Sequence, residues 1–438
     1  MLLNRSRAAS GGLLFEIVVL GILFAVTAWT AARMQEVTIT RYWDGDEYYV
    51  MAEQIAAGQV PHAAAPYVYR LATPWLVGRL WPDRIVTGFR TINLAAAAAT
   101  ALLLLVWLRR FVAERWARLI AVALFIVEWH GPARFVFYYP VYVDPLVFPC
   151  LLGGLILIDA LQNSEASTHL VWALTGLCIL GTLCREVMVV IPLALLCAGN
   201  PIARRVGQVV GSRRFDARRL MPLAAAGAII MATRLLTQPR VAFSFLETAA
   251  FHIRHKPAFT WVLAWFVTFG PVLLLPFYDW RRAWRTLADQ QYLAVYLVLF
   301  GALAYVGGHD TERYLFWSMP VIYLLIAQAL VTHRQVLGST YLATVLIVAQ
   351  AVSARVLWSI PSPSLAVAAL SDMPTPAAKT YSILNRLFVI DDFHWNLWSN
   401  FGSRPFHALL LAIYLVFSAA MIGWIHIRVV RLRALSAA

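Results

Sequence analysis

Three carboxylates lie within four residues of the chain, at Asp44, Asp46 and Glu47. They follow an apolar run that is long enough to cross a bilayer. Asp44 and Glu47 could share a divalent cation, Mg²⁺ or Mn²⁺, and Asp44 or Asp46 could remove a proton from a substrate. The alternative is that these carboxylates are solvated charges in a loop without a catalytic role. Flanking aromatic residues favour a catalytic role, because they could line a site for a sugar or a lipid head group. They are Trp43, Tyr48 and Tyr49.

Two arginines in separate segments could hold a phosphate. Arg70 follows Tyr69, and Arg313 follows Asp310 by three residues. A guanidinium can bind a phosphate through two parallel hydrogen bonds. The alternatives are an interfacial arginine for Arg70 and a helix cap for Asp310. We predict that both arginines converge on one phosphate.

Other polar residues occur where the hydropathy pattern changes. Asp144 precedes Pro145, which is typical of a helix start but leaves a binding role open. Arg185 and Glu186 stand between two apolar runs and are interpreted as an ion pair that faces a partner or a cavity. His394 follows a pair of aspartates and could bind a substrate or a metal, or be one of several exposed loop charges.

The composition is that of a membrane protein. Of the 438 residues, 61% are hydrophobic and 13% are charged, and the mean hydropathy is +0.69. We predict an all-α, polytopic transmembrane helical bundle of about 11–13 spans, with residues 1–438 forming one integral-membrane domain. The candidate spans are about 12–33, 88–108, 116–131, 144–161, 168–184, 186–199, 219–236, 258–277, 290–307, 313–331, 338–358 and 406–428.

The distribution of arginines predicts the topology. The net charge is +14, and the short basic loops fall on one side, which we assign to the cytoplasm together with both termini. This explanation of the charge excludes nucleic acid as a partner. The first external loop, 34–87, carries the acidic motif and short interfacial helices, and 359–405 is the last external loop. Residues 168–199 must cross the membrane twice for this assignment to hold.

The chain resembles bacterial integral-membrane glycosyltransferases of the GT-C superfamily. The resemblance covers the hydropathy layout of nearly the whole chain, and its sharpest segments are 43–49, 67–70, 142–145, 185–186 and 310–314. It implies a GT-C-like fold and transfer of a sugar from a polyprenyl-phosphate donor at the external face. It also implies that Asp44, Asp46 or Glu47 is the acceptor base or a metal ligand. Some members use a large soluble C-terminal domain to bind protein acceptors, and none is evident here, so we expect a lipid or glycan acceptor.

These observations predict a glycosyltransferase of the bacterial inner (plasma) membrane, with its active site on the periplasmic or extracellular side. The expected partners are the polyprenyl-phosphate-linked sugar donor, the acceptor and membrane lipids. The main alternative is a transporter or flippase of a lipid-linked glycan. A transporter should carry ionisable residues at the middle of the membrane. Here the unusual charges gather towards one predicted face, which favours the enzyme.

Overall fold

The computed structural model describes residues 6–34, 43–163, 168–198, 216–356 and 404–437. Within these ranges the chain is helical and contains no strand, as the sequence predicts. One large cluster of buried apolar side chains draws on helices from both ends of the chain, from Leu20 to Ile425. The last predicted external loop, 359–405, lies outside the described residues except for its final two positions, and His394 lies outside them as well.

Twenty α-helices follow one another along the described chain. They are α1 (Ser6–Met34), α2 (Trp43–Ala56), α3 (Ala72–Leu80), α4 (Ile85–Arg109), α5 (Arg115–Val127), α6 (Pro132–Tyr138), α7 (Asp144–Asn163), α8 (Thr168–Cys184), α9 (Val190–Cys197), α10 (Met221–Leu236), α11 (Phe245–His255), α12 (Ala258–Phe269), α13 (Leu274–Tyr278), α14 (Trp280–Asp289), α15 (Gln291–Val306), α16 (Thr311–Phe316), α17 (Met319–Thr332), α18 (Arg334–Leu337), α19 (Thr340–Ser353) and α20 (Arg404–Ala437). Short 3₁₀ helices occur at Tyr67–Tyr69, Glu186–Val189, Ala217–Leu220 and Pro271–Leu273.

Several apolar helices indicate a multi-pass membrane protein. In the described part of the chain, six segments are long and apolar enough to span a bilayer, and the number rises to eight if each of two bent pairs is one span. The described residues thus hold fewer segments of this length than the 11–13 spans predicted for the whole chain. The difference arises largely from four apolar helices of 10–17 residues, at or below the lower limit of about 17 residues for crossing the hydrocarbon core. They are Thr168–Cys184, Glu186–Cys197, Met319–Thr332 and Tyr341–Ser353.

One predicted span, 258–277, is sharply broken. Helices α12 and α13 meet at an angle of 103°, and Gly270 at the bend has a φ of +71°, which a residue with a side chain rarely adopts. The Gln350 side chain satisfies the exposed backbone there. Its amide nitrogen donates to the Phe269 carbonyl at 3.1 Å, and its oxygen accepts from the Val272 amide at 3.1 Å. The break is thus a stable feature of the bundle.

The segment that we predict to be the first external loop folds into short helices, as the sequence predicts. Helix α2 starts at the acidic cluster, where negative charge is favoured by the partial positive charge of a helix N-terminus. It ends before Gly58, whose φ is +73°. The 3₁₀ turn Tyr67–Tyr69 and helix α3 follow. Helix α7 likewise begins at Asp144 with Pro145 in its first turn, as predicted.

Candidate functional site

Arg313 is the centre of a buried charge network. Its guanidinium contacts three carboxylates: Asp44 at 3.0 Å, Asp144 at 3.0 Å and Asp310 at 3.1 Å. The Arg313 side chain is only 9% exposed. The structure thus joins the start of α2, the start of α7 and the start of α16 through one residue.

A second arginine completes the charge balance around Asp144. Arg185 is fully buried and forms an ion pair with Asp144. The Arg185 guanidinium lies over the Trp317 ring, 4.7 Å from its centroid. Asp144 therefore bridges Arg185 and Arg313, which supports a role beyond capping α7.

Tyr139 holds the Asp44 carboxylate from the other side. Its hydroxyl donates to Asp44 Oδ1 at 2.5 Å and accepts from the Gly45 amide at 2.5 Å. Tyr139 belongs to the tyrosine-rich segment before Asp144, and this enrichment was the signal in the sequence. The close approach also explains Gly45, because a Cβ there would lie 2.8 Å from the Tyr139 hydroxyl and 2.9 Å from the Val141 carbonyl.

Arg70 forms a separate two-pronged ion pair with Glu186. Its Nε donates to Glu186 Oε2 at 2.9 Å, its Nη2 pairs with Oε1, and its Nη1 donates to the Tyr48 hydroxyl at 2.7 Å. The predicted pairing of Arg185 with Glu186 is wrong. Arg185 has an extended backbone, with φ of −165° and ψ of 140°, and adjacent side chains on extended backbone point to opposite sides. Arg185 therefore reaches Asp144, while Glu186 reaches Arg70.

The three carboxylates of the first loop diverge around the first turn of α2. Asp44 faces Arg313, whereas Glu47 accepts from the Ala64 amide at 2.8 Å and pairs with Arg240 at 2.5 Å. Asp46 is exposed. Across the described ranges, no three His, Cys, Asp or Glu side chains group so as to hold a metal. Asp44 and Glu47 thus have separate partners, and the divalent cation that we predicted at them stays a prediction that chelation of the purified protein tests.

A cavity of about 1370 Å³ contains most of these groups. It is lined by all but three of the predicted site residues that the structure describes: Asp44, Glu47, Tyr69, Arg70, Arg185, Glu186, Asp310 and Arg313. The three that do not line it are Asp46, Tyr48 and Asp144. Tyr48 and Asp144 lie behind the lining, where they contact Arg70 and Arg185 respectively.

Two carboxylates on Arg313 have pKa values shifted in opposite directions. Burial alone would raise the pKa of Asp44, but the charge of Arg313 and the hydrogen bond from Tyr139 outweigh it and hold that pKa below its usual value. Burial raises the pKa of Asp310, despite the opposing effect of Arg313. Asp44 is therefore an ionised acceptor at neutral pH, and titratable pairs of this kind are typical of active sites.

Two histidines that were not among the predicted site residues form another wall of the cavity. His252 and His309 both line it, with ring centroids 4.6 Å apart. Burial lowers the pKa of His252 to about 4. Behind them, the Lys256 ammonium donates to the Gly308 carbonyl at 2.7 Å and the Thr311 hydroxyl at 3.0 Å, and burial lowers its pKa to about 8. Lys256 thus fixes the segment that carries Asp310.

Arg234 is a further cavity residue that no sequence pattern indicated. It lies in the last turn of α10, with its guanidinium 5.7 Å from the centre of the Tyr69 ring. Tyr69 itself is half-buried in the 3₁₀ turn after the acidic helix. An arginine near the end of an apolar helix is common as an interfacial residue, so its sequence context carried no special signal.

Comparison with known proteins adds no relative. No protein-family model matches the chain, and no curated protein is significantly similar to it.

Proposed function

We propose that this protein is a GT-C-type glycosyltransferase that moves a sugar from a polyprenyl-phosphate donor to a lipid or glycan acceptor. In this proposal it lies in the bacterial plasma membrane, with both termini cytoplasmic and the cavity open to the external side. The observation that carries the proposal is the ionised Asp44 carboxylate, oriented by Arg313 and Tyr139 at the wall of a large cavity. A fixed, ionised carboxylate at the wall of a cavity can take up the proton of a substrate hydroxyl.

The cavity has the mixed character that a lipid-linked sugar requires. Its charged wall contains Asp44, Arg70, Arg185 and Arg313. Another part of its wall is apolar and comes from the region around α9, α10 and α15. Members of this apolar wall are Val190, Leu193, Ile230, Leu299 and Leu303. An isoprenoid chain on the apolar wall would leave its sugar-bearing end in the polar part of the cavity, since apolar surface is favoured away from water.

The proposed reaction is a single displacement with inversion. The acceptor hydroxyl gives its proton to the Asp44 carboxylate as its oxygen bonds to the anomeric carbon of the sugar. The bond from that carbon to the phosphate oxygen breaks, and its electron pair stays on the lipid phosphate. Because the pKa of Asp44 is below its usual value, the protonated carboxyl then loses its proton readily to solvent. Arg313 and Tyr139 keep the carboxylate in position through the step.

Asp44→Asn tests the role of the carboxylate. The amide keeps the size of the side chain but cannot take up a proton, so we expect transfer to fall by about 10²–10⁴-fold, the usual contribution of a general base. The control is Asp46→Asn: the sequence left Asp46 open as an alternative base, but this residue is exposed and does not line the cavity. In a deletion strain, profiling of lipid-linked sugars should reveal an accumulated donor that wild type and Asp46→Asn remove and Asp44→Asn does not.

The same measurement separates the enzyme from the flippase. A flippase needs the cavity to bind its cargo but forms no glycosidic bond, so a deletion strain would accumulate the complete lipid-linked glycan on the cytoplasmic side. Purified protein would then convert no donor to product. Full activity of Asp44→Asn, or no change in the lipid-linked sugars of the deletion strain, contradicts the proposed transfer.

A further inference from the structure

The arginines of the charged wall are already neutralised by carboxylates. Arg70 pairs with Glu186, and Arg185 pairs with Asp144. Arg313 contacts three carboxylates and is surrounded by more negative than positive charge. A phosphate brought to Arg313 would meet three like charges nearby, and it would bind only by displacing a carboxylate that then stays buried without its partner. The predicted convergence of Arg70 and Arg313 on one phosphate is therefore unfavourable for electrostatic reasons.

Arg234 differs from these three arginines. Within the described ranges, no ion pair joins it to a carboxylate. Its side chain is exposed and lines the cavity, and its guanidinium lies over the face of the Tyr69 ring. A cation stacked on an aromatic ring keeps its N–H donors available at the edge of the guanidinium. Arg234 can thus accept an anion without losing an ion pair.

The position of Arg234 suits an anion attached to a lipid. On its own helix, Ile230 lies one turn earlier and belongs to the apolar wall of the cavity. The next two residues, Leu235 and Leu236, are each 76% exposed and continue the apolar surface of the span Ala217–Leu236. Arg234 therefore stands where the apolar outer surface of the protein meets the cavity. A lipid phosphate has the same arrangement, because its apolar chain ends in an anionic group.

We propose that Arg234 is the binding residue for the phosphate of a long-chain lipid phosphate, and that Tyr69 holds its guanidinium in place. The choice of a lipid phosphate as the ligand rests on the proposed function, in which this lipid carries the sugar as the donor. Arg313 is then a positioning residue for Asp44. A simpler role for Arg234 is stabilisation of the C-terminus of α10, where a cation interacts favourably with the helix dipole. That role predicts an effect on stability and none on ligand affinity.

Binding measurements on the purified full-length protein in detergent distinguish these roles. The probes are farnesyl phosphate, farnesol and inorganic phosphate, measured by isothermal titration calorimetry. We expect Arg234→Gln to weaken farnesyl phosphate at least tenfold and to leave farnesol nearly unchanged. Arg234→Lys should recover part of the affinity, because it keeps the charge but loses the planar donors. The matched control is Arg254→Gln, an exposed arginine near the end of α11 that does not line the cavity.

Equal affinity of Arg234→Gln and wild type for farnesyl phosphate overturns the proposal, and so does an equal loss in Arg254→Gln. Inorganic phosphate that binds wild type as tightly as farnesyl phosphate overturns the lipid assignment. Sugar transfer tests the proposed function separately. If wild type binds farnesyl phosphate through Arg234 but transfers no sugar, the glycosyltransferase proposal fails and the anion site stands. If transfer proceeds with the same KM for the donor in Arg234→Gln, the site fails and the glycosyltransferase stands.

Discussion

Asp44 owes its chemical character to two long-range contacts. Arg313 lies 269 residues away in the chain, and Tyr139 lies 95 residues away. The sequence indicated Asp44 and Arg313 as two separate polar sites. It predicted that Arg313 binds a phosphate, not that it contacts Asp44. The reason is physical: pattern and spacing report local structure, whereas the partner of a charged side chain depends on how distant segments pack. The tyrosine was visible only as part of an aromatic run.

Removing the Tyr139 hydroxyl should change the pH dependence of the reaction. Tyr139 donates to the charged form of Asp44 and so lowers its pKa, and loss of that donor favours the protonated form. Activity needs the ionised form, which is present above the pKa and lost as the pH falls through it. In Tyr139→Phe we therefore expect the acid limb of the profile of kcat/KM against pH to move to higher pH.

The control for this variant is Tyr142→Phe. Tyr142 is a buried neighbour in the same segment, and its hydroxyl has no hydrogen-bond partner among the described residues. Its removal should leave the acid limb of the pH profile unchanged. An acid limb of Tyr139→Phe that coincides with wild type would show that Tyr139 does not tune the group that titrates.

At the scale of elements, the site depends on how closely α2 approaches the segment before α7. Gly45 makes this approach possible, because its backbone lies against Tyr139 and Val141. We expect Gly45→Ala to destabilise the protein by about 1–3 kcal/mol, the usual cost of inserting a methyl group into a packed site. Transfer activity should fall with it, since the shift would move Asp44.

Thermal unfolding in detergent checks this prediction against Gly21→Ala in α1. Gly21 has no atom within 4 Å of the position that a Cβ would take, and alanine favours a helix. That variant should therefore be as stable as wild type or slightly more stable. Equal melting temperatures for Gly45→Ala and wild type, with full activity, would show that α2 does not need the close approach.

The elements themselves were more predictable than their lengths. The acidic start of α2 and the Asp144-Pro145 start of α7 were visible in the sequence, because helix ends have local signals. The break at Gly270 was missed, since hydropathy continues across it and the Gln350 side chain that bonds the backbone there is distant in the sequence. Hydropathy thus does not reveal where an apolar segment is broken.

At the scale of the whole molecule, the helical membrane architecture followed from composition alone, whereas the side on which the site lies depends on topology. The arginine asymmetry predicts that the first loop is external and that the segment around Arg334 is cytoplasmic. Gln59 and Gln335 are exposed positions in these two segments. They allow the prediction to be tested with one cysteine on each side.

In intact cells, an impermeant thiol reagent should label Gln59→Cys, because the loop that holds the acidic cluster is predicted to face outwards. It should label Gln335→Cys only after lysis. The unmodified chain measures the background from its own cysteines, none of which is fully exposed. Labelling of Gln59→Cys only after lysis would place Asp44 and its cavity on the cytoplasmic side. An externally presented lipid-linked donor could not reach the site there, so the proposed reaction would have to use substrates of the inner leaflet.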